Sequence, residues 1–182
     1  MKYVSSHRAF TLIELLVVIS IIGILAGLSF TGVNAALTAA RRTQAKNDVV
    51  QIANAVLAFE SEYGRLPVRG AGSTNAGDVD GNLMRVLTAT EDLEDGQSAL
   101  NPRKISFIEI SPAKNKKSGT NESGTFVDPW GNAYRIVLDS AYAGSITAGE
   151  PKGPAVVDKL LRRVAVWNWT NAESRIPVSS WD

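Results

Sequence analysis

The chain has 182 residues, 45% of them hydrophobic and 20% charged, an ordinary globular composition with room for one modest domain and an appendage. Its formal net charge is +1, too small for a global field that draws the molecule onto nucleic acid or anionic lipid. Cysteine is absent, which excludes disulfides, thiolate nucleophiles and cysteine metal sites, and His7 is the only histidine.

The first nine residues, MKYVSSHRA, carry Lys2 and Arg8 ahead of an apolar run from Phe10 to Phe30, FTLIELLVVISIIGILAGLSF. As a helix this run covers roughly 30 Å, the thickness of a hydrocarbon core. A secretory signal cut after small residues such as Val33-Asn34-Ala35 is the alternative. Against it stand the length of the run, beyond the usual apolar region of about 7 to 15 residues, and Glu14 close to its start. An ionised carboxylate costs up to about 3 kcal/mol at mid-membrane and less near the interface. Local physics leaves two readings of Glu14 open. It leans toward the headgroups and benefits from the positive end of the helix dipole, or it awaits a cationic partner from a second copy of the chain.

Phe10-Thr11-Leu12-Ile13-Glu14-Leu15-Leu16-Val17-Val18-Ile19, behind a short basic leader, resembles the class III signal of type IV prepilins and type II secretion pseudopilins. The resemblance implies a cut between Ala9 and Phe10 by a membrane aspartyl peptidase and methylation of the new Phe10 amine. It also implies that Glu14 pairs with that amine on a neighbouring subunit. Two positions depart from the family pattern, Ala9 where Gly is preferred and Thr31 where many relatives have proline. Loss of residues 1–9 leaves 17 Lys+Arg against 18 Asp+Glu and no histidine, which excludes Ser/His/Asp triads and His-ligated zinc. Lys2 and Arg8 before the span are balanced by Arg41, Arg42 and Lys46 after it. The N-in, head-out orientation therefore rests on the resemblance.

No strong breaker follows Phe30 until Gly64, so one helix is expected from about Phe10 to about Tyr63. In its later part Val49, Ile52, Ala53, Val56, Phe59 and Tyr63 recur at spacings of three and four, opposite Asn47, Gln51, Asn54 and Glu62. Glu60, at the edge of that stripe, fits it least. Gly64-Arg65-Leu66-Pro67 ends the helix and resembles the motif that closes the long helix of the major, G-type pseudopilin.

Val68 to Asn82 reads as a loop. Its Asp78-Val79-Asp80-Gly81-Asn82 lacks the Gly and Glu that an EF-hand needs at its sixth and twelfth positions, held here by Leu83 and Ala89. A short helix is expected over Leu83 to Leu87, a short strand over Ile105 to Ile110, and a solvated loop over Ala113 to Gly124 with Lys114, Lys116 and Lys117. Asp128-Pro129-Trp130-Gly131-Asn132 suits a type I turn, and the alternation over Tyr134 to Leu138 a half-buried strand. This turn before a strand resembles a recurring feature of G-type pseudopilin heads, with Val164 to Trp167 as the next strand and Ser179-Ser180-Trp181 as the family's ending. Relatives often carry calcium-binding aspartates between these last two elements. This chain has Asn168, Asn171, Glu173 and Ser174, a poorer anionic set.

The expected fold class is α+β, a long N-terminal helix with a membrane-spanning first half, packed on a small antiparallel sheet in a pilin-like head. Its expected parts are a cleaved leader (1–9), a transmembrane segment (10–30), an amphipathic continuation (31–63) and a globular head (64–182). The resemblance implies a structural subunit of a type II secretion pseudopilus, held in the bacterial inner membrane by one span with its head in the periplasm. The implied partners are further copies of the chain, other pseudopilins, the prepilin peptidase and the inner-membrane assembly platform, with no nucleic acid. No catalysis and no cofactor is expected, and calcium is the one ion left open. The alternatives are a pilin of an adhesive or motility pilus, or a membrane-tethered extracytoplasmic enzyme using carboxylates among Asp78, Asp80, Glu91, Asp92 and Glu94, whose spacing makes no defined acid/base pair.

Overall fold

The computed structural model of the chain describes residues 10–68, 77–91, 98–148, 159–168 and 178–181, the side chains of residues 28–32 excepted. Helix α1 runs unbroken over Leu12–Tyr63, as the absence of breakers predicts. Contacts divide the chain into two units, Met1–Ala40 and Arg41–Asp182. In the first unit the described apolar side chains of α1 face outward, from Leu12 at 81% exposure to Leu25 at 59% and Leu37 at 51%. Among the described residues no core of that unit covers them.

In the second unit the expected stripe of α1 is the core. Val49, Ile52, Val56 and Phe59 are fully buried, Ala53 nearly so, and Ala45 and Ala55 are buried with them. Asn47, Gln51 and Asn54 are exposed. Glu60, the misfit of the stripe, is matched by Arg163, and Glu62 by Arg103. The helix stops at Gly64, whose φ of +65° places it in the left-handed region while its N–H still bonds the Glu60 carbonyl at 2.8 Å. Glycine meets that conformation at no steric cost.

Strand β1 (Gly77–Asp78), strand β4 (Tyr134–Leu138) and strand β5 (Val164–Asn168) form an antiparallel sheet in the order β1-β4-β5. A second, two-stranded antiparallel sheet pairs β2 (Gly119–Thr120) with β3 (Phe126–Val127). Tyr134, Ile136, Leu138, Val164 and Val166 join the stripe of α1 in one core. The expected α+β layout, a long helix with small antiparallel sheets, is therefore the observed one.

Four local expectations need correction. β4 is buried on both faces and is not half-buried, because Val137, Ala165 and Trp167 are covered from the far side by Ile146, Ala148, Leu160 and Trp181. Ile105 to Ile110 is not a strand. Its backbone is spent elsewhere, with Phe107 N bonded to Leu87 O at 2.8 Å and Ile105 N to Asn101 Oδ1 at 3.0 Å. The Val68–Asn82 loop contains β1, and Asp80 caps helix α2 (Gly81–Leu87) by accepting from Leu83 N at 2.9 Å, so that helix starts two residues earlier than expected. The Ala113–Gly124 loop contains β2.

Candidate functional site

The N-terminal signal is a helix start with its own hydrogen-bond closure. Glu14 Oε2 accepts from Thr11 N at 2.9 Å and from Thr11 Oγ1 at 2.8 Å, while Glu14 N donates to Thr11 Oγ1 at 3.3 Å. Thr11-Leu12-Ile13-Glu14 is thus a capping box, in which side chains satisfy the first amides that have no carbonyl one turn back. The sequence reading missed this role, although the Thr-x-x-Glu spacing ahead of an apolar run announces it. Phe10 lies just outside the helix and is 81% exposed. The described contacts of the Glu14 carboxylate are therefore with Thr11. Ala9, the other residue expected at the cleavage point, is outside the described residues.

The Asp128–Asn132 turn is built around a buried carboxylate. Asp128 Oδ1 accepts from Trp130 N at 2.8 Å and Asn132 N at 2.9 Å, and the Asn132 side-chain amide lies 3.4 to 3.5 Å from its two oxygens. The Gly131 N–H closes the turn on Asp128 O at 3.0 Å, and Asp128 N donates to Asn132 O at 2.8 Å. Pro129 is buried, and Trp130, half-buried, packs on the main core. Gly131 is held at φ +95°, where a Cβ would also stand 3.2 Å from Lys116 O. These bonds make Asp128 the keystone of a turn.

Behind that turn Tyr134 Oη donates to Asp48 Oδ2 at 2.6 Å, joining β4 to α1. Burial raises the Asp48 carboxyl above its ordinary range, with the Asp128 charge adding to the rise and the Tyr134 bond opposing it. Burial and the Asp48 charge together push the Tyr134 phenol far above its own range, so it stays a donor. Neither residue was singled out from sequence as polar, because Asp48 is flanked by the apolar stripe and Tyr134 belongs to the strand alternation.

The other carboxylates considered from sequence do not converge. Asp78 pairs with Arg135 at 2.6 Å, Asp80 caps α2, and Glu91 accepts from Leu100 N and Asn101 N at 3.0 and 2.7 Å. Asp92 and Glu94 lie outside the described residues. Asn168 Oδ1 accepts from Val178 N at 2.7 Å, while Asn171, Glu173 and Ser174 are outside the described residues. Among the described residues no three His, Cys, Asp or Glu are grouped to hold a metal ion. Among them, too, no helix is long and apolar enough to cross a membrane; the expected span, Phe10 to Phe30, runs into residues 28–32, whose side chains are not described.

Residues 4–30 match the family model described as the prokaryotic N-terminal methylation motif. None of the curated proteins and none of the solved structures matches the chain. The motif is the prepilin signal of type IV pilin-like proteins, and with the α+β layout it supports a protein of that kind. It implies processing by a prepilin peptidase, membrane anchoring, and extracytoplasmic assembly with similar subunits.

Proposed function

We propose that this chain is a structural subunit of a type II secretion pseudopilus. It is inserted in the inner membrane through residues 10–30 with its head in the periplasm, cut between Ala9 and Phe10, methylated at the Phe10 amine, and packed into a filament through α1. It acts by assembly and not by catalysis. The observation that carries this reading is the apolar half of α1, exposed on every described turn from Leu12 to Leu25 and bearing one carboxylate, Glu14, at its start. Such a surface in water is unstable at about 25 cal/mol per Å² of apolar area, and lipid followed by neighbouring helices covers it. Cleavage creates an amine four residues from Glu14, a charge of the sign that a carboxylate in an apolar setting needs.

The Asp128–Asn132 turn favours a secretion pseudopilus over an adhesive or motility pilus, as does the lack of the cysteines that close the head loop of many pilins. Mass spectrometry of the membrane-extracted protein is the test. The expected mature chain begins at Phe10 with a methylated amine, and a mature chain beginning near Ala36 overturns the reading. Co-expression with a secretion apparatus lacking its own major pseudopilin separates the finer choice, since a surface-pilus pilin does not restore secretion.

A further inference from the structure

The two-stranded sheet β2–β3 carries opposite charges at its two ends, and both ends are closed by hydrogen bonds. At one end Lys114 to Lys117 form a tight hairpin closed by two bonds of 3.0 Å, Lys114 N to Lys117 O and Lys117 N to Lys114 O. Asn115 and Lys116 at its tip have φ of +51° and +62°. Such two-residue turns favour Asn and Gly, and a lysine held there is strained. The hairpin is braced by the Asp128 turn, with Ser118 N bonded to Asp128 O at 3.0 Å and Lys116 O close against Gly131. Lys114, Lys116 and Lys117 are all exposed, and none has an ion-pair partner among the described residues. Three ammonium groups in four residues repel one another. A strained, self-repelling and well-braced tip is a feature whose cost an anionic partner offsets.

At the other end of the ladder Asn121 to Thr125 form a turn in which Asn121 Oδ1 accepts from Ser123 N, Ser123 Oγ and Thr125 N at 3.1, 2.7 and 2.9 Å. Glu122 is exposed at its tip. This turn is fixed on the start of α2, where a Cβ at Gly81 would stand 2.4 Å from Ser123 O, and exposed Asp80 adds a second carboxylate beside it. Glu60, Glu62 and Asp78 are matched by arginines of their own chain, whereas Glu122 has no partner among the described residues.

We propose that the Lys114–Lys117 hairpin of one copy docks on the Glu122 turn of the next copy, giving the heads of the filament a head-to-tail electrostatic contact besides the packing of α1. The inference rests on the filament reading above. A second copy fits better than a nucleic acid or an anionic membrane because the same ladder supplies the complementary charge. One contact then satisfies both unmatched ends, and a heterologous contact repeats without closing, as a filament requires. With a net charge near zero the attraction is local and sets register and partner choice.

The chain has no cysteine, so introduced cysteines report unambiguously. Full-length copies carrying Lys116→Cys are co-expressed with copies carrying Glu122→Cys and the assembly machinery, then treated with a short bis-maleimide. A mixed Lys116→Cys/Glu122→Cys adduct is expected, and Lys116→Glu should lower filament yield about tenfold through like-charge contact, with partial recovery when Glu122→Lys is present in the same copy. Lys116→Gly relieves the backbone strain, so it should melt no lower than the parent and still assemble less well, which separates an interface effect from misfolding. A Leu37→Cys self-adduct serves as a control for helix packing. If that adduct forms while the 116–122 adduct does not, the head contact is overturned and the filament reading stands. If neither forms in processed protein, both fail. Retention of the hairpin lysines on nucleic acid or anionic vesicles with no 116–122 adduct also overturns the proposal.

Discussion

Asp48 and Tyr134 meet at 2.6 Å across the boundary between α1 and β4, and this single bond ties the long helix to the central strand of the sheet within the main core. Its cost is a carboxylate whose ionised form is held away from water and near a second carboxylate, Asp128. A carboxyl with a raised folded pKa contributes stability fully below its ordinary value of about 3.9, and that contribution is lost as pH rises through the folded value. Asp48→Asn keeps an oxygen to accept from Tyr134 and removes the charge. The variant of the unit Arg41–Asp182 is expected to melt above the parent at pH 7, the difference shrinking toward pH 4. A difference that grows on acidification rules out this account.

Asp128 accepts from two backbone amides and lies within reach of the Asn132 side-chain amide. Asp128→Ala leaves the amides of Trp130 and Asn132 without their acceptor in a buried setting, at about 1 to 3 kcal/mol. Denaturant unfolding of the same unit should show that loss with little change in the slope of the transition. Parent-like stability would mean that the turn is held by its backbone bonds alone.

Asn101 is a second buried junction. Its side chain donates to Val86 O at 2.9 Å and Ile105 O at 2.7 Å, while its oxygen accepts from Ile105 N at 3.0 Å and Tyr63 Oη at 2.6 Å. Asn101→Leu, similar in volume, strands all four groups. A loss of about 2 to 4 kcal/mol is expected, larger than for Asp128→Ala, because more buried partners go unpaired. Thermal melts of both variants side by side check the order.

The core stripe, the helix stop and the two long strands were legible because each is a repeat of apolar side chains bounded by a breaker. Val49 to Phe59 and Tyr134 to Leu138 need only periodicity to be found. Asn101 shows what periodicity hides, since its four bonds join α1, α2 and the 101–105 segment, and nothing in the local sequence signals contacts across 38 and 15 positions. The strand expected over Ile105 to Ile110 failed for the same reason: Ile108 is buried and Phe107 and Ile110 pack on the core, but Leu87 and Asn101 take the backbone bonds of the segment. At the N-terminus the residues of the signal were all legible, yet the partner of Glu14 was not.

The two roles open to Glu14 give the sharpest test of assembly. In the single copy its carboxylate caps α1 through Thr11, a role that glutamine also fills in a capping box. Pairing with the Phe10 amine of a neighbour requires charge, which glutamine lacks. Leucine removes both roles and makes the apolar run more apolar. If Glu14 is only a cap, Glu14→Gln behaves as the parent in every assay, and Glu14→Leu weakens the helix end without consequence for filaments. If it is the partner of a neighbouring amine, both variants insert and are cut between Ala9 and Phe10, yet both fall sharply in filament yield, because the unmatched amine costs about 3 to 5 kcal/mol in an apolar setting. We expect the second pattern. The measurement is cross-linked or sheared filament counted against processed subunit for parent, Glu14→Gln and Glu14→Leu in one strain. Normal filament yield from processed Glu14→Gln would leave the carboxylate as a helix cap and remove the charge argument for assembly.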